Sequence, residues 1–419
     1  MKTVQPATPV QAVPARAPLK SLDEALTELL GHATPLAGTE QVSTFDADGR
    51  VLAQDVTSAL QVPPQDNSAM DGYAVRCADL TAGVALPVSQ RIPAGSSGSV
   101  LAPMSVARIF TGAPVPEGAD AVVMQEDCTL QADGSVLVGA SVQLGQWIRR
   151  SGEDVTKGAV ILSKGERLTP ASLGLAASIG MSTLTVMRRP RVALFSTGDE
   201  LVMPGDVAPQ DMPPGAIYNS NRFFLQALLK RLGCEVSDLG IVPDQRQATI
   251  DALQVAAQDH DLILTSGGVS VGEEDHTKPA VQALGHLDLW QIGMKPGKPF
   301  AHGRVANAHF IGLPGNPVSS FVTFLILVRP FLLKLQGVSE VAPHSIAATA
   351  DFTWAKGDKR REFLRVRRNA SGALERFPNQ SAGVLTSAVW GDGLVDNPPG
   401  QTIVPGDVVR FIPFSELLA

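Results

Sequence analysis

Two textures of apolar and polar positions follow one another along the chain. Residues 22–30 set Leu22, Ala25, Leu26, Leu29 and Leu30 on one helical face, and Ser21 with Glu24 forms a capping box, so a helix opens the folded part. Beyond it, turn signals arrive every few residues (Asp46-Ala47-Asp48-Gly49, Pro63-Pro64, Asp133-Gly134, Ser151-Gly152) and separate short apolar runs at 121–124, 135–138 and 158–162. This spacing predicts a region of strands and loops. A helix over 170–179 closes it, just before the basic stretch Arg188-Arg189-Pro190-Arg191.

At Val192 the texture changes. Apolar runs at 192–195, 235–241, 261–265, 287–292 and 309–313 alternate with helical stretches at 223–232, 248–257 and 277–284. A parallel sheet covered by helices requires that alternation. Asn316-Pro317 starts a long helix through Leu335, with Pro317 in its first turn and Pro330 as a kink. After Gly337 short strands and turns return, at 363–366, 370–372, 392–393, 397–400 and 408–412. The expected fold class is therefore multidomain α/β plus β. A disordered tail (1–20) precedes a β-rich N-terminal half (21–188), a central doubly wound α/β domain (189–337) and a small C-terminal β-barrel (338–419). A ligand site is expected beyond the carboxyl ends of the central strands.

Composition narrows the classes. Hydrophobic residues at 44% and charged residues at 18% suit several buried cores and exclude a disordered chain. A net charge of -7 leaves no broad electrostatic footprint for nucleic acid, so any anion site must be a local basic pocket. Cys77, Cys128 and Cys234 are too far apart for a zinc knuckle or a disulfide framework, which fits a reducing cytosol. The strongest apolar run, 321–328, meets Arg329-Pro330 well short of the roughly 20 residues a membrane span needs. The first 20 residues lack the apolar core of a secretory signal. A cytoplasmic protein with no membrane partner is expected.

Chemistry concentrates in three small-residue loops. Ser266, Gly267, Gly268, Ser270 and Gly272 follow the run at 261–265; Lys295-Pro296-Gly297-Lys298-Pro299 and Gly312-Leu313-Pro314-Gly315-Asn316-Pro317 come later. One such loop is as readily a tight turn as a ligand site. Three of them, with two lysines bracketing a proline and a glycine, point to an anion held by backbone N–H groups and local charge. Glu200, Asp244 and the trio Glu273, Glu274 and Asp275 fall beside strand ends. Singly each is a helix cap; Glu200, Asp244 and Asp275 together suggest a magnesium site. The loops at 66–75 and 111–118 read as Asx-type turns, apart from Tyr73, one of only 2 tyrosines in the chain.

Together these residues closely resemble the molybdopterin molybdotransferase family, known as MoeA in bacteria and as the E domain of gephyrin and its plant counterpart. Segments 66–75, 111–118, 151–154, 196–200, 266–275, 295–299 and 312–317 occur in the family's order, and the likeness covers nearly everything from Ser21 onward. The resemblance implies an elongated homodimer of four-domain subunits, the first two domains interleaved. Its α/β domain would have the molybdopterin-binding fold shared with the adenylyltransferase one step earlier. The implied reaction takes adenylylated molybdopterin and molybdate, cleaves the phosphoanhydride with Mg2+, releases AMP and leaves molybdenum on the dithiolene. The preceding adenylyltransferase and acceptor molybdoenzymes are the implied partners.

Carried over motif by motif, Ser266, Gly267, Gly268, Ser270 and Gly272, with Gly312, Pro314, Gly315 and Asn316, would cradle the pterin phosphate and the adenylate. Glu200, Asp244 and Asp275 would hold magnesium and orient the scissile bond. Lys295 and Lys298, set by Pro296, Gly297 and Pro299, would bind molybdate, and Arg365 and Ser381 would complete that oxyanion site. Asp71 and Thr111 would reach a neighbouring subunit's α/β domain. Gln291 stands where some members carry lysine. Adenylyl transfer is the alternative activity, disfavoured by the long N-terminal half and the C-terminal β domain. A non-catalytic molybdopterin-binding scaffold is the alternative outside enzymes, disfavoured by the intact carboxylates and lysines.

Overall fold

The computed structural model describes residues 19–139, 141–268 and 276–418. Two compact units emerge: residues 41–186 form one, and residues up to 40 together with 187–419 form the other. The opening helix α1 (Leu22–His32) carries the capping box read from Ser21 and Glu24. Its buried face, Leu22, Ala25 and Leu29, joins the main core of the second unit.

The unit of residues 41–186 is strand-rich. Strands β1 (Gly72–Val75), β2 (Ala85–Ile92), β3 (Val106–Ile109), β4 (Ala121–Met124), β5 (Cys128–Leu130) and β6 (Ser135–Val138) form a sheet in the order β4-β1-β3-β2-β6-β5. Alternate residues of β1 bury on opposite faces, Ala74 in one apolar cluster and Val75 in another. Tyr73 packs beside the second cluster with its ring 5.2 Å from the Arg108 guanidinium, which accounts for that aromatic structurally. Helix α2 (Pro170–Ser178), capped by Thr169, covers a third cluster around Leu52, Leu168 and Leu184.

The α/β domain of the other unit contains β7 (Arg191–Thr197), α3 (Asn221–Arg231), β8 (Glu235–Val242), α4 (Arg246–Asp259), β9 (Leu262–Ser266), α5 (Thr277–Leu284) and β10 (Gly285–Gln291). After the short strand β11 (Met294–Lys295) come β12 (Pro299–Val305) and β13 (Ala308–Leu313). The sheet order is β8-β7-β9-β13-β12-β10. The first four strands are parallel, as the apolar runs require, but β12 lies antiparallel between β13 and β10. The sequence pattern predicts no strand at 299–305. Its hairpin to β13 turns at Ala306, with φ of 49°, in place of the glycine that normally marks such a turn. Because two reversals cancel, the segment after β10 still emerges on the same rim as the ends of β9 and β13.

Both faces of the sheet are covered. Val192, Leu194, Leu262 and Leu264 face α3 and the helix that starts at Pro317; Ala193, Phe195 and Ile263 face α4 and α5. The long helix runs as α6 (Pro317–Thr323), a wider π-type stretch Phe324–Val328, and α7 (Arg329–Leu335). Pro330 has no N–H to donate one turn back, and the widened stretch before it absorbs the mismatch. The 19 residues 317–335 have the length and apolarity of a membrane span, yet 89% of that stretch is buried as the domain's core helix.

The C-terminal strands are β14 (Ile346–Thr349), β15 (Arg361–Arg368), β16 (Leu374–Arg376), β17 (Gly393–Asn397) and β18 (Val408–Pro413). They run β15-β17-β18-β14, with β16 on the free side of the last part of β15. The Ala350–Leu374 bridge joins the end of β14 to β16 and closes the ring as a small barrel. Strand β11 adds to β15 in parallel, pairing Met294 with Arg361 and Lys295 with Glu362. That addition brings the lysine loop of the α/β domain onto the barrel.

His302 on β12 and His309 on β13 lie in the core beside the long helix. His302 stacks on His32 at 4.7 Å, and Phe331 meets both buried rings edge-on. Among the described residues neither His302 nitrogen nor His309 Nδ1 has a hydrogen-bond partner. Burial pushes His302 down to about 3 and His309 down to about 4. Their folded values lie below the unfolded one, so stability is complete above about pH 6.5 and falls as the unfolded chain takes up protons below it. Between about pH 6 and pH 4.5 each ring should remove up to roughly 1.4 kcal/mol per pH unit. Urea midpoints measured over that range should decline, and His302→Leu should flatten the decline; an unchanged slope would remove His302 from it.

Candidate active site

Loops from the ends of β9, β10 and β13 meet around the first turns of α6. Ser266 ends β9, and Gly267 (φ 95°) and Gly268 (φ 66°) follow in left-handed backbone. A Cβ on Gly267 would lie 2.7 Å from the Thr197 carbonyl, and one on Gly268 would overlap the Thr277 hydroxyl. Only glycine fits so closely against the end of β7 and the first residue of α5. Gly267 N–H donates to the Leu313 carbonyl at 3.1 Å, which ties this loop to the one leaving β13. There Pro314 is buried, while Gly315 and Asn316 are exposed ahead of Pro317. Gly312 is a strand residue, opposite Thr265 and Ala301, and offers no loop surface.

The lysine loop takes a different anchor. Gly297 (φ 109°) runs flush against α6, where a Cβ would overlap the Thr323 hydroxyl, and Pro296 beside it is buried. Pro299 begins β12, and Gln291 ends β10 opposite it. Lys295 Nζ donates to Glu362 Oε1 at 3.1 Å and lies 3.4 Å from Asp358 Oδ2. Glu362 is 1% exposed and also accepts from Trp354 Nε1 at 2.7 Å, the Asp358 N–H at 3.1 Å and Asn397 Nδ2 at 3.4 Å. The Arg360 guanidinium beside Asp358 holds that carboxyl far below the usual range. Lys295 is thus a paired cation. Lys298 has no carboxylate at ion-pair distance among the described residues, so it carries the uncompensated charge of this loop.

Arg365 is buried in the barrel at 1% exposure, and among the described residues its acceptors are all neutral. Nε donates to Ser387 Oγ at 3.1 Å, Nη1 to the Phe363 carbonyl at 3.0 Å and Nη2 to the Ser381 carbonyl at 3.4 Å. Burial pushes this guanidinium down to about 10. Gln380 clamps the 377–382 loop to β15, accepting from Arg365 N–H and donating back to the Arg365 carbonyl, both at 2.9 Å. The loop then reaches α6, where Val318 N–H donates to the Ala382 carbonyl at 2.9 Å. The barrel therefore brings Ser381, bonded to Arg365, next to the residue that meets the first turn of α6.

Glu200 and Asp244 follow β7 and β8, and Asp199 Oδ1 accepts from Asp244 N–H at 3.4 Å. Ser270, Gly272, Glu273, Glu274 and Asp275 lie outside the described residues. Among the described residues no three His, Cys, Asp or Glu side chains gather closely enough for a metal ion. Glu200 and Asp244 are hard oxygen donors of the kind magnesium takes, and Asp275 would be the third. Asp71 and Thr111 lie in the other unit: Asp71 Oδ1 accepts from Thr111 N–H and Oγ1, each at 2.8 Å, and these bonds hold its carboxyl below the ordinary value. Sequence reading missed Asn221, Gln380 and Glu362, whose roles depend on partners 15 to 94 residues away.

Residues 20–180 match the family described as the MoeA N-terminal region (domain I and II), residues 193–334 a probable molybdopterin binding domain, and residues 347–414 the MoeA C-terminal region (domain IV). A relative from Haemophilus influenzae named molybdopterin molybdenumtransferase is 42% identical over 411 residues, covering 95% of this chain and 99% of its own. One from Mycobacterium tuberculosis, molybdopterin molybdenumtransferase 2, is 38% identical over 391 residues, covering 90% and 93%. The crystal structure of a molybdopterin biosynthesis MoeA protein from Pyrococcus horikoshii superposes with a TM-score of 0.82 at 27% identity over 94% of this chain and 100% of that one. With 42% identity along nearly the whole of both chains, this chain belongs to the molybdopterin molybdenumtransferase family.

Proposed function

We propose that the chain transfers molybdenum from molybdate to molybdopterin, acting on the adenylylated form and releasing AMP, as a cytoplasmic homodimer. The names of its relatives support the transfer. Phosphate oxygens are taken by the backbone of Gly268, beside Gly267, by Ser266, by Gly315 and Asn316 before the helix, and by Ser270 and Gly272 farther along the loop. Lys298, with Arg365 and Ser381, takes the oxyanion, and Lys295 lines the same loop. Magnesium would be held by Glu200, Asp244 and Asp275 and would neutralise charge on the anhydride. Asp71 and Thr111 of a second copy complete the site.

One observation carries this reading: Arg365 is a buried cation whose partners among the described residues are all neutral. Such a charge costs several kcal/mol unless something compensates it. An oxyanion beside Ser381 does so, and the same charge stabilises the anion that develops as the anhydride breaks. Molybdate-dependent AMP release from adenylylated molybdopterin is the direct test. Arg365→Gln should raise the KM for molybdate about tenfold to a hundredfold, the value of one or two charge-assisted bonds. An unaltered KM would overturn the role of Arg365, and AMP release indifferent to molybdate would overturn the reaction.

The two lysines should separate. Lys298→Ala should weaken molybdate about tenfold with little change in the urea midpoint. Lys295→Ala should in addition cost roughly 1–2 kcal/mol of stability, because it leaves Glu362 with less compensation in a partly exposed pair. Equal effects on stability would contradict that division.

Complementation tests the dimer. Asp71→Ala and Asp275→Asn proteins, each inactive alone, should on subunit exchange recover about a quarter of wild-type AMP release, because half the dimers are mixed and each holds one intact site. No recovery after verified exchange would place both residues in one copy's site.

A further inference from the structure

Asn221 is the first residue of α3, where an asparagine is usually spent on the helix end. Here that task falls to Asn219, whose Oδ1 accepts from Arg222 N–H at 3.3 Å. The Asn221 side chain, in a residue only 8% exposed, instead turns sideways: Nδ2 donates to Ser266 Oγ at 2.8 Å and to the Gly315 carbonyl at 2.7 Å. One amide group thus holds together the loop leaving β9 and the loop leaving β13.

The chemistry of the partners sets the direction of both bonds. A backbone carbonyl can only accept, so the nitrogen of Asn221 must face Gly315. Its second hydrogen then points at Ser266 Oγ, and an amide nitrogen cannot accept in return. Ser266 is therefore an acceptor from Asn221, and its own hydrogen is turned elsewhere. Among the described residues that hydrogen meets no acceptor. Ser266 is 3% exposed, beside the left-handed glycines at 267 and 268, where the proposed phosphate lies.

We infer that Asn221 is a positioning residue: it fixes Ser266 as a hydrogen-bond donor to a phosphate oxygen of the nucleotide and sets the spacing between the two phosphate loops. This rests on the reading of those loops as the adenylate site. It extends that site to a residue that touches no ligand. Asn221→Asp keeps the shape but exchanges a donor for an acceptor, so Ser266 turns to donate to the carboxylate and the nucleotide loses its bond.

The test is AMP binding to the full-length protein by calorimetry, with thermal unfolding recorded for each variant. Ser266→Ala and Asn221→Ala should each weaken AMP about tenfold, and the double variant should be little weaker than either, because Asn221 acts through Ser266. Asn221→Asp should bind more weakly still at pH 8 and, relative to wild type at each pH, recover as the pH falls to 5 and the new carboxyl protonates. A purely structural role would give a ratio independent of pH. Fully additive losses, or AMP binding unchanged in Asn221→Ala, would overturn the inference. Failure of wild type itself to bind AMP would instead overturn the adenylate reading. Should Asn221→Ala unfold, the pH-dependent ratio for Asn221→Asp and the Ser266→Ala affinity still decide the matter.

Discussion

Close backbone packing against the first turns of the helix at Pro317 is the constraint on which the site depends. Gly297 can lie flush on Thr323 only without a Cβ, Val318 holds the barrel loop through Ala382, and Asn221 holds Gly315 just ahead of the helix. Ser320 and Thr323 are buried in those turns, so the helix cannot shift toward solvent without uncovering polar and apolar groups together. Packed cores respond to such constraints by keeping one arrangement. Loops that begin on three strand ends and one barrel strand therefore keep fixed mutual positions.

Electrostatics divides the same surroundings into a closed part and an open part. Glu362 is buried but collects an indole, a backbone N–H, an amide and Lys295, and Arg360 pairs with Asp358 beside it. That network is satisfied internally and holds β11 in place on β15. Arg365, three residues along the same strand, has only neutral acceptors, and Lys298 has no carboxylate partner among the described residues. A charge that is costly to bury in the empty protein is favourable to an arriving anion. Lys295 and Lys298 are spaced symmetrically in the sequence, and the barrel makes them unequal.

Legibility followed the range of the interactions. The capping box at Ser21, Pro317 in a first helical turn, the parallel strands and the glycine loops are set within a few residues of one another, and each was readable from local pattern. The strand at 299–305 was not, because its hairpin turns on Ala306 where a glycine would have signalled it. The helix through Pro330 to Leu335 was readable, but the π-type turn that accommodates the proline was not, since it is a property of the packed helix.

By itself, then, the sequence determined most of the segments that become strands, helices and tight loops, and which residue types could meet an anion, because propensity, periodicity and glycine's backbone freedom act locally. Tertiary structure alone decided which of those residues share a site and in what electrostatic state. The bond from Asn221 to Gly315 spans 94 residues and the pair of Lys295 with Glu362 spans 67. Neither carries a local signature, because a hydrogen bond or an ion pair depends on the distance between atoms in space, and only the packed chain sets that distance.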